Sequence, residues 1–374
     1  MKLQSVCVRN FKAIVNSKTV KLGPLTVFIG NNGTGKSSLI EALETYQSIV
    51  RDGLDIAMQR WLGIEHARHK GQEARERAGV MVNPVRFELA LGESPRNVCR
   101  IELDANNDPA ANRIFIAGER ISAPERALIV RDSIKASQGY SSGHSMLSSA
   151  MDYYAREVQH IYGWQFLMLA PERMGSPVPQ QRTAGGVRLA KDGSNIADFL
   201  LDIRRQDQNA FDGIVETMAY VLPYARDLQP SVTSELERKA WLQLTEADFK
   251  VPGWMLSTGT LRLLALLALL RHPKPPPLIV VEEIENGLDP RSIHLIVEEI
   301  RNAVLDGVTQ VILTTHSPYL LDLLTLDHLV LVERNPKGEP QFLRPGNNAS
   351  LTRWARDFAP GKLYTMGSLS EVCA

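Results

Sequence analysis

The octapeptide GNNGTGKS, Gly30 to Ser37, places a lysine and a hydroxyl directly after a glycine-rich turn, in the spacing G-x-x-x-x-G-K-S. Each part has a chemical use. The glycines let successive backbone N–H groups face inward on an anion, and a helix beginning at the lysine adds its unbonded N-terminal amides and its dipole. Asn32, Gly33, Thr34, Gly35, Lys36, Ser37 and Ser38 are therefore candidate phosphate ligands. The Lys36 ammonium would reach the outer phosphates, and the Ser37 hydroxyl would hold Mg2+.

A second cluster lies in LIVVEEIENGLDP, where Glu282 and Glu283 follow a short apolar run. In a parallel sheet the carboxyl end of such a strand faces the ligand crevice. Glu282 suits Mg2+ held through water, and Glu283 suits the orientation or deprotonation of an attacking water. Glu285 is acidic as well, so the register of the pair stays open. His316 closes TQVILTTH and belongs at the same crevice edge, where it could hydrogen-bond a terminal phosphate. In LSTGTLRLLALLALL, Ser257 and Gly259 stand just before an apolar helix and form an anion site at its N-terminus. The first loop already holds phosphates with its own helix. A second phosphate-binding helix end makes sense if it serves the nucleotide of another copy across a two-fold axis.

These residues need elements to hold them. LTVFIG reads as a buried strand entering the glycine turn, and a helix is expected from Lys36 through SSLIEALETYQSIV. Strands are expected over 2–11 and 18–29, an exposed helix or loop over 60–78, and alternating strands in VRFELAL, VCRIELDA and RIFIAG. Helices follow in MDYYAREVQHIY, NIADFLLDIRRQD and NAFDGIVETMAYVL, with a long loop over 171–194 and a strand pair near 228–251. PLIVVEE, TQVILTTH and HLVLVER read as buried strands, with RSIHLIVEEIRNAVLDG as a helix among them. The expected fold is α/β with a mainly parallel sheet, an antiparallel β lobe and a helical insertion. Four parts are expected: 1–50 as the first part of the core, 51–130 as the β lobe, 131–250 as the helical insertion, and 251–374 as the second part of the core.

Composition narrows the function classes. In 374 residues, 44% are apolar, enough for a substantial core. Lys plus Arg and Asp plus Glu both count 42, so contact with nucleic acid would need a local basic patch. Cys7, Cys99 and Cys373 show no metal-ligand spacing and fit a reducing cytoplasm, and the N-terminus has no signal-like apolar block. The apolar run after Ser257 spans about 15 Å as a helix, half of a bilayer core, and reads as buried core rather than a membrane anchor.

The glycine loop, LSTG, the apolar strand with two acids, GLD and the following histidine occur in this order in ABC-type ATPases, which the chain resembles. VRNFKAI…GPLTVFIGNNGTGKSSLIEAL is similar to their RecF/SMC-like branch. LSTGTLRLLALLALL…EEIENGLDP…THSPYLLD resembles small stand-alone ATPases related to the ATPase part of OLD-family proteins. The resemblance is strong over about 1–45 and 250–322. It implies a P-loop NTPase fold with an ABC-type head, with ATP and Mg2+ as cofactors. Gly33, Gly35, Lys36, Ser37 and Ser38 would bind nucleotide, and Ser37 with Glu282 would hold Mg2+. Glu283 would be the catalytic glutamate, and Ser257 with Gly259 the signature acting in trans. Asp289 would act across the dimer, His316 would be the switch histidine, and Lys12 would reach the nucleotide. Gln165, Gln180 and Gln181 are all candidates for the glutamine of this family's site. The stretch between Lys36 and Glu282 is far longer than in transporter-type relatives, yet it holds no long coiled coil or cysteine hook, which excludes an SMC arm. The residues after His316 are too few for the nuclease fused to many OLD-type ATPases, so a nuclease activity would come from a partner.

The functional expectation is a cytoplasmic ATPase that forms a homodimer on ATP and opens on hydrolysis. Its output would be control of a protein effector, as in anti-phage systems of this branch. The alternative is a RecF-like DNA-binding ATPase in repair or recombination, with Arg60, Arg68, Lys70, Arg75 and Arg77 as contacts. Glu65, Glu73 and Glu76 lie among them, and such mixed charge also describes a solvated face.

Overall fold

Burial on both faces of a few short strands, rather than length, organises this chain. The computed structural model describes residues 1–71, 75–77, 80–94, 97–108, 112–132, 143–182, 185–234, 236–355 and 357–371. Cys373 and Glu73 lie outside them. The chain divides into two units, Met1–Trp164 with Thr325–Ala374, and Gln165–Leu324.

In the first unit the strand Lys2–Phe11 is a hub. It pairs antiparallel with Val85–Ser94 on one side and with Ile14–Asn16 and Val20–Lys21 on the other. The sheet continues outward through Asn97–Asp108, Arg113–Ser122 and Ile129–Asp132. Period-two alternation buries Val85, Phe87, Leu89 and Leu91 together with Val6 and Val8. A second set of strands surrounds Leu25–Ile29, in which every residue is buried. It lies parallel to Leu329–Arg334, which turns back into the antiparallel strand Pro340–Leu343. The helix Lys36–Asp52 buries Leu39, Ile40, Leu43, Tyr46 and Ile49. Its Gln47 amide donates to the carbonyls of Ile161 at 2.7 Å and Trp164 at 2.9 Å, which ties this helix to the end of the helix Met151–Tyr162.

In the second unit three parallel strands, Gln165–Leu167, Leu278–Val281 and Gln310–Thr315, lie side by side in that order, every residue buried. Parallel strands need both faces covered. The cover includes the apolar run after Ser257, a helix Thr258–Leu270 that is buried all round. Its one charged residue, Arg262, is half-buried, and its guanidinium donates to the Leu169 carbonyl at 2.9 Å. Beside it stand the helices Ile196–Gln206, Gln208–Val221 and Pro290–Leu305. No helix among the described residues is long and apolar enough to cross a membrane.

The fold is the expected α/β class, but its divisions differ. The antiparallel strands expected within 51–130 share one sheet with Lys2–Phe11, so cuts at 50 and 130 do not separate lobes. The stretch 131–250 is not simply helical: Val178–Pro179, Lys239–Glu246 and Ala225–Val232 form an antiparallel sheet, joined by Phe249–Pro252. The strand expected over 18–29 is two, Val20–Lys21 and Leu25–Ile29, broken at Gly23-Pro24. Residues 60–78 are not one exposed element. A short helix Ile64–Ala67 leads into a buried Arg68, whose guanidinium donates to the side-chain oxygens of Asn106 at 2.8 Å and Asn107 at 2.7 Å. Long-range pairing accounts for the differences in the sheets, because a strand's partner is chosen by register and not by neighbouring residues.

One buried group gives this fold a pH dependence. His160 packs edge-on to Trp164 at 6.3 Å, and burial lowers its pKa from an ordinary 6.5 to about 4. The unfolded chain then binds a proton that the folded chain refuses between those values. Stability is complete above pH 6.5 and falls as the pH drops toward 4, by up to about 3 kcal/mol from this residue. Urea midpoints measured for wild type and His160→Phe at pH 7 and 4.5 should show a smaller acid loss in the variant. Equal losses would remove His160 from the account.

Candidate functional site

The glycine loop begins where the buried strand Leu25–Ile29 ends. Gly30 can be only glycine: a Cβ there would stand 2.1 Å from the Val332 carbonyl oxygen, and its φ is +150°. The loop closes through the Thr34 hydroxyl, which donates to the Asn31 carbonyl at 2.9 Å. Gly35 takes the N-cap position of the helix Lys36–Asp52, which has no side-chain cap and no acid in its first turn. A helix start of that kind suits an anionic ligand. The buried Lys36 ammonium donates to the loop carbonyls of Gly30 at 2.6 Å and Asn31 at 2.9 Å. Asn32, Gly33 and Ser37 are exposed, while Thr34 and Ser38 are buried. Lys12 lies in the same unit with its ammonium already engaged, 2.5 Å from the Glu41 carboxylate and 4.4 Å from the Trp61 ring centre. Neither partner was expected from the sequence.

The second unit carries the acids. Glu282 follows the buried strand Leu278–Val281, is half-buried, and donates its N–H to the Leu167 carbonyl at 3.1 Å. Glu283 is exposed, with φ at +49°, a left-handed conformation unusual for a residue with a side chain. Its N–H donates to the Thr314 hydroxyl at 2.9 Å, and its carboxylate accepts from the Asn286 amide at 2.5 Å. Such strain persists only where surrounding contacts enforce it, and it concentrates at functional positions. Glu285 does something different: one of its oxygens accepts the His316 N–H at 2.6 Å. His316 itself comes one residue after its strand, which ends at Thr315. Thr314 and Asn286 were missed by sequence reading, although the paired hydroxyls of TTH at a strand end were a usable signal.

The remaining motif residues also belong to the second unit. Ser257 is the N-cap of the helix Thr258–Leu270, and its hydroxyl oxygen accepts the Thr260 N–H at 3.1 Å. Gly259 lies inside the first turn and not before the helix as expected. A Cβ there would stand 2.5 Å from the Gly287 carbonyl oxygen, so this glycine lets the helix start pack against the acidic loop. Asp289 caps the helix Pro290–Leu305 within its own chain, accepting from the N–H groups of Arg291 and Ser292. The Ser292 hydroxyl, donating at 2.6 Å, holds its carboxyl below the usual range. Among the candidate glutamines, the buried Gln165 amide is committed to the Leu189 carbonyl at 2.8 Å, while Gln181 is exposed.

A glycine turn leading into a helix without a side-chain cap in the first unit, and buried parallel strands followed by carboxylates and a histidine in the second, are the parts of a P-loop ATPase, and the fold is that of ABC-type, SMC-like heads. The chain belongs to the family described as "AAA domain, putative AbiEii toxin, Type IV TA system", which matches residues 25–322. A second family description, "AAA ATPase domain", matches residues 1–48. Among solved structures, the Smc head bound to the C-winged helix domain of ScpA aligns with a TM-score of 0.58 at 14% identity, covering 92% of this chain and 98% of that one. An Smc head with an extended coiled coil, bound to the C-terminal domain of ScpA derived from Pyrococcus furiosus, aligns with a TM-score of 0.54 at 12% identity, covering 95% and 99%. The Nod factor export ATP-binding protein I of Sinorhizobium fredii is 29% identical over 46% of this chain and 46% of its own length. The uncharacterized protein MJECL44 of Methanocaldococcus jannaschii is 27% identical over 29% of this chain and 34% of its own. The chain thus spans less than half the length of these curated relatives.

The Thr314 hydroxyl is the acceptor that keeps the strained Glu283 backbone in place. Thr314→Val, nearly equal in shape, should cost about 1 kcal/mol of stability and lower kcat for ATP roughly tenfold, with little change in KM. Phosphate-release kinetics check this, and an unchanged kcat would show that Thr314 does not hold Glu283.

Proposed function

We propose that the chain binds Mg2+ and ATP through the glycine loop, forms a homodimer on ATP, and hydrolyses it in a cycle that controls a protein effector in the cytoplasm, in defence against phage. The observation that carries the reading is Glu283, an exposed carboxylate at the end of a buried parallel strand, held in left-handed backbone by Thr314 and Asn286. A base that must orient a water benefits from such fixing.

The donor set suits the cofactors. The uncapped start of the helix Lys36–Asp52 is an anion site, and the Lys36 ammonium inside the loop supplies a matching charge. Mg2+ takes few protein ligands and completes its shell with water and phosphate. The exposed Ser37 hydroxyl and the Glu282 carboxylate are oxygen donors of that kind. Bound Mg2+ would neutralise charge on the phosphates. The residues do the rest: the loop amides and Lys36 hold the phosphates, Glu283 orients water and takes its proton, and His316 hydrogen-bonds the terminal phosphate.

The dimer rests on Ser257. Its exposed hydroxyl, which accepts the Thr260 N–H and pairs with the Thr260 hydroxyl at 2.8 Å, stands at a helix start that Gly259 seats against the acidic loop. In this reading Ser257, Gly259 and Asp289 complete the nucleotide pocket of the second copy, so that ATP joins the two. The Smc heads bound to ScpA domains support a protein partner, and the family description as a toxin of a toxin–antitoxin system supports a defence output. The basic stretch offered for DNA is partly consumed within the chain. Arg60 pairs with Glu44 at 2.5 Å, and Arg68 is buried among asparagines.

Replacing the base separates binding from chemistry. Glu283→Gln should keep ATP affinity, lower kcat at least about 100-fold, and accumulate as an ATP-bound dimer with twice the monomer mass in light scattering. A variant that stays monomeric at saturating Mg2+ and ATP would end the dimer proposal. A variant that hydrolyses at the wild-type rate would end the role of Glu283.

A further inference from the structure

An anion cradle made of backbone has a requirement of its own: for each N–H turned inward, the carbonyl on the other side of that peptide turns outward and needs a partner. Gly33 shows how this chain meets it. Its carbonyl oxygen accepts two bonds from one guanidinium, from Arg334 Nε at 2.9 Å and Nη2 at 2.6 Å. The remaining nitrogen, Nη1, donates to the Gly338 carbonyl at 2.9 Å, in the turn between the strands Leu329–Arg334 and Pro340–Leu343. All of these residues belong to the first unit.

We propose that Arg334 is a positioning residue for nucleotide binding, which holds the phosphate loop in its binding shape from the outer side. This rests on the reading of Gly30–Ser37 as the ATP cradle. The peptide after Gly33 is trans, so anchoring the Gly33 oxygen outward directs the Thr34 N–H to the inner side. There it donates to the Asn31 carbonyl oxygen at 3.4 Å and closes the turn of the loop. Steric packing does not hold this peptide, because nothing stands within 4 Å of where a Gly33 Cβ would be, and φ there is +76°. On its carbonyl side the two-pronged bond fixes it, and on its N–H side the turn to Asn31 does. A planar fork suits one acceptor oxygen better than an ammonium does. The same charge also adds positive potential behind a loop that must receive a polyanion. Other outward contacts come from the same part of the chain: Pro340 backs Gly35, and the Tyr364 hydroxyl lies 3.5 Å from the Asn31 side-chain oxygen. Arg334, Asn31, Tyr364, Val332 and Thr365 line a cavity of about 650 Å³ beside the loop, which Lys36, Ser37 and Ser38 do not line.

Arg334 does not touch the phosphates in this account, so its loss should act on ATP affinity and not on the chemical step. In Arg334→Ala the Kd for ATP, by calorimetry with Mg2+, should rise roughly tenfold, with kcat at saturating ATP within about twofold of wild type and Tm unchanged. Arg334→Lys and Arg334→Gln, each able to make one bond, should fall between. They also keep the test open if the alanine variant does not fold. Hydrogen exchange in the peptide covering 30–38 should quicken in Arg334→Ala. Lys36→Ala, run beside it, separates the two readings. Unchanged affinity in Arg334→Ala with lost affinity in Lys36→Ala overturns the role of Arg334 alone. Unchanged affinity in Lys36→Ala overturns the cradle and this proposal together. A fall in kcat without a change in Kd, or an affinity loss that follows a fall in Tm across the three variants, also overturns it.

Discussion

The start of an α-helix leaves N–H groups without partners inside the helix, and everything in this chain's nucleotide chemistry depends on how each start is completed. The motif helices solve the problem in two ways. Ser257 and Asp289 bring their own side-chain acceptors, so the helices they begin are closed within the chain. Gly35 brings none, and the first turn that follows contains a lysine and no acid. An uncapped, electropositive start is incomplete without an anion, whereas a capped start is complete without one. That asymmetry favours the start of Lys36–Asp52 as the primary phosphate site proposed above and gives the Ser257 end, whose hydroxyl already pairs with that of Thr260 at 2.8 Å, a secondary role.

The acidic end obeys a related constraint. A parallel strand buried on both faces delivers its first polar residue abruptly, where the sheet stops covering it. Glu282 is still held by a strand-like bond to Leu167, but Glu283 is one step further and turns left-handed. The next strand stabilises that turn through Thr314, and Glu285 in turn fixes the backbone of His316. Acids and histidine are thereby coupled through two hydrogen bonds between adjacent strand ends. A shift of one strand end would therefore displace Glu283 and the backbone of His316 together.

The parts of this design that were legible in the sequence are those set by local spacing. The glycine loop, the acids after an apolar strand, and the apolar helix after Ser257 each follow from residues a few positions apart. What was not legible depends on distant partners. Arg68 reads as one more charge on a solvated face, and only the fold brings Asn106 and Asn107 to it. Lys12 reads as free to reach a nucleotide, and only the fold brings Glu41 and Trp61 to it. Gly259 reads as part of an anion site just before the helix, yet its position inside the helix and against Gly287 makes it first a packing residue. The lobes were misjudged for the same reason: the strand Lys2–Phe11 selects Val85–Ser94 as its partner across a long separation, and no local signal announces that choice.

The same distinction bears on regulation. Residues that contact phosphate are constrained by chemistry and vary little in what they can do, whereas residues that support the loop from outside are free to connect it to the rest of the unit. Arg334 and Pro340 occupy a hairpin, and Tyr364 a short helix, that lie far from the loop in the sequence and at its back in space. Backbone cradles are held by their outward carbonyls as much as by their glycines, so a force on this hairpin would be felt at the Gly33 peptide before it reached any catalytic group. Coupling of that form would alter how tightly a nucleotide is held without altering the reaction it undergoes, because it acts on the shape of the loop alone.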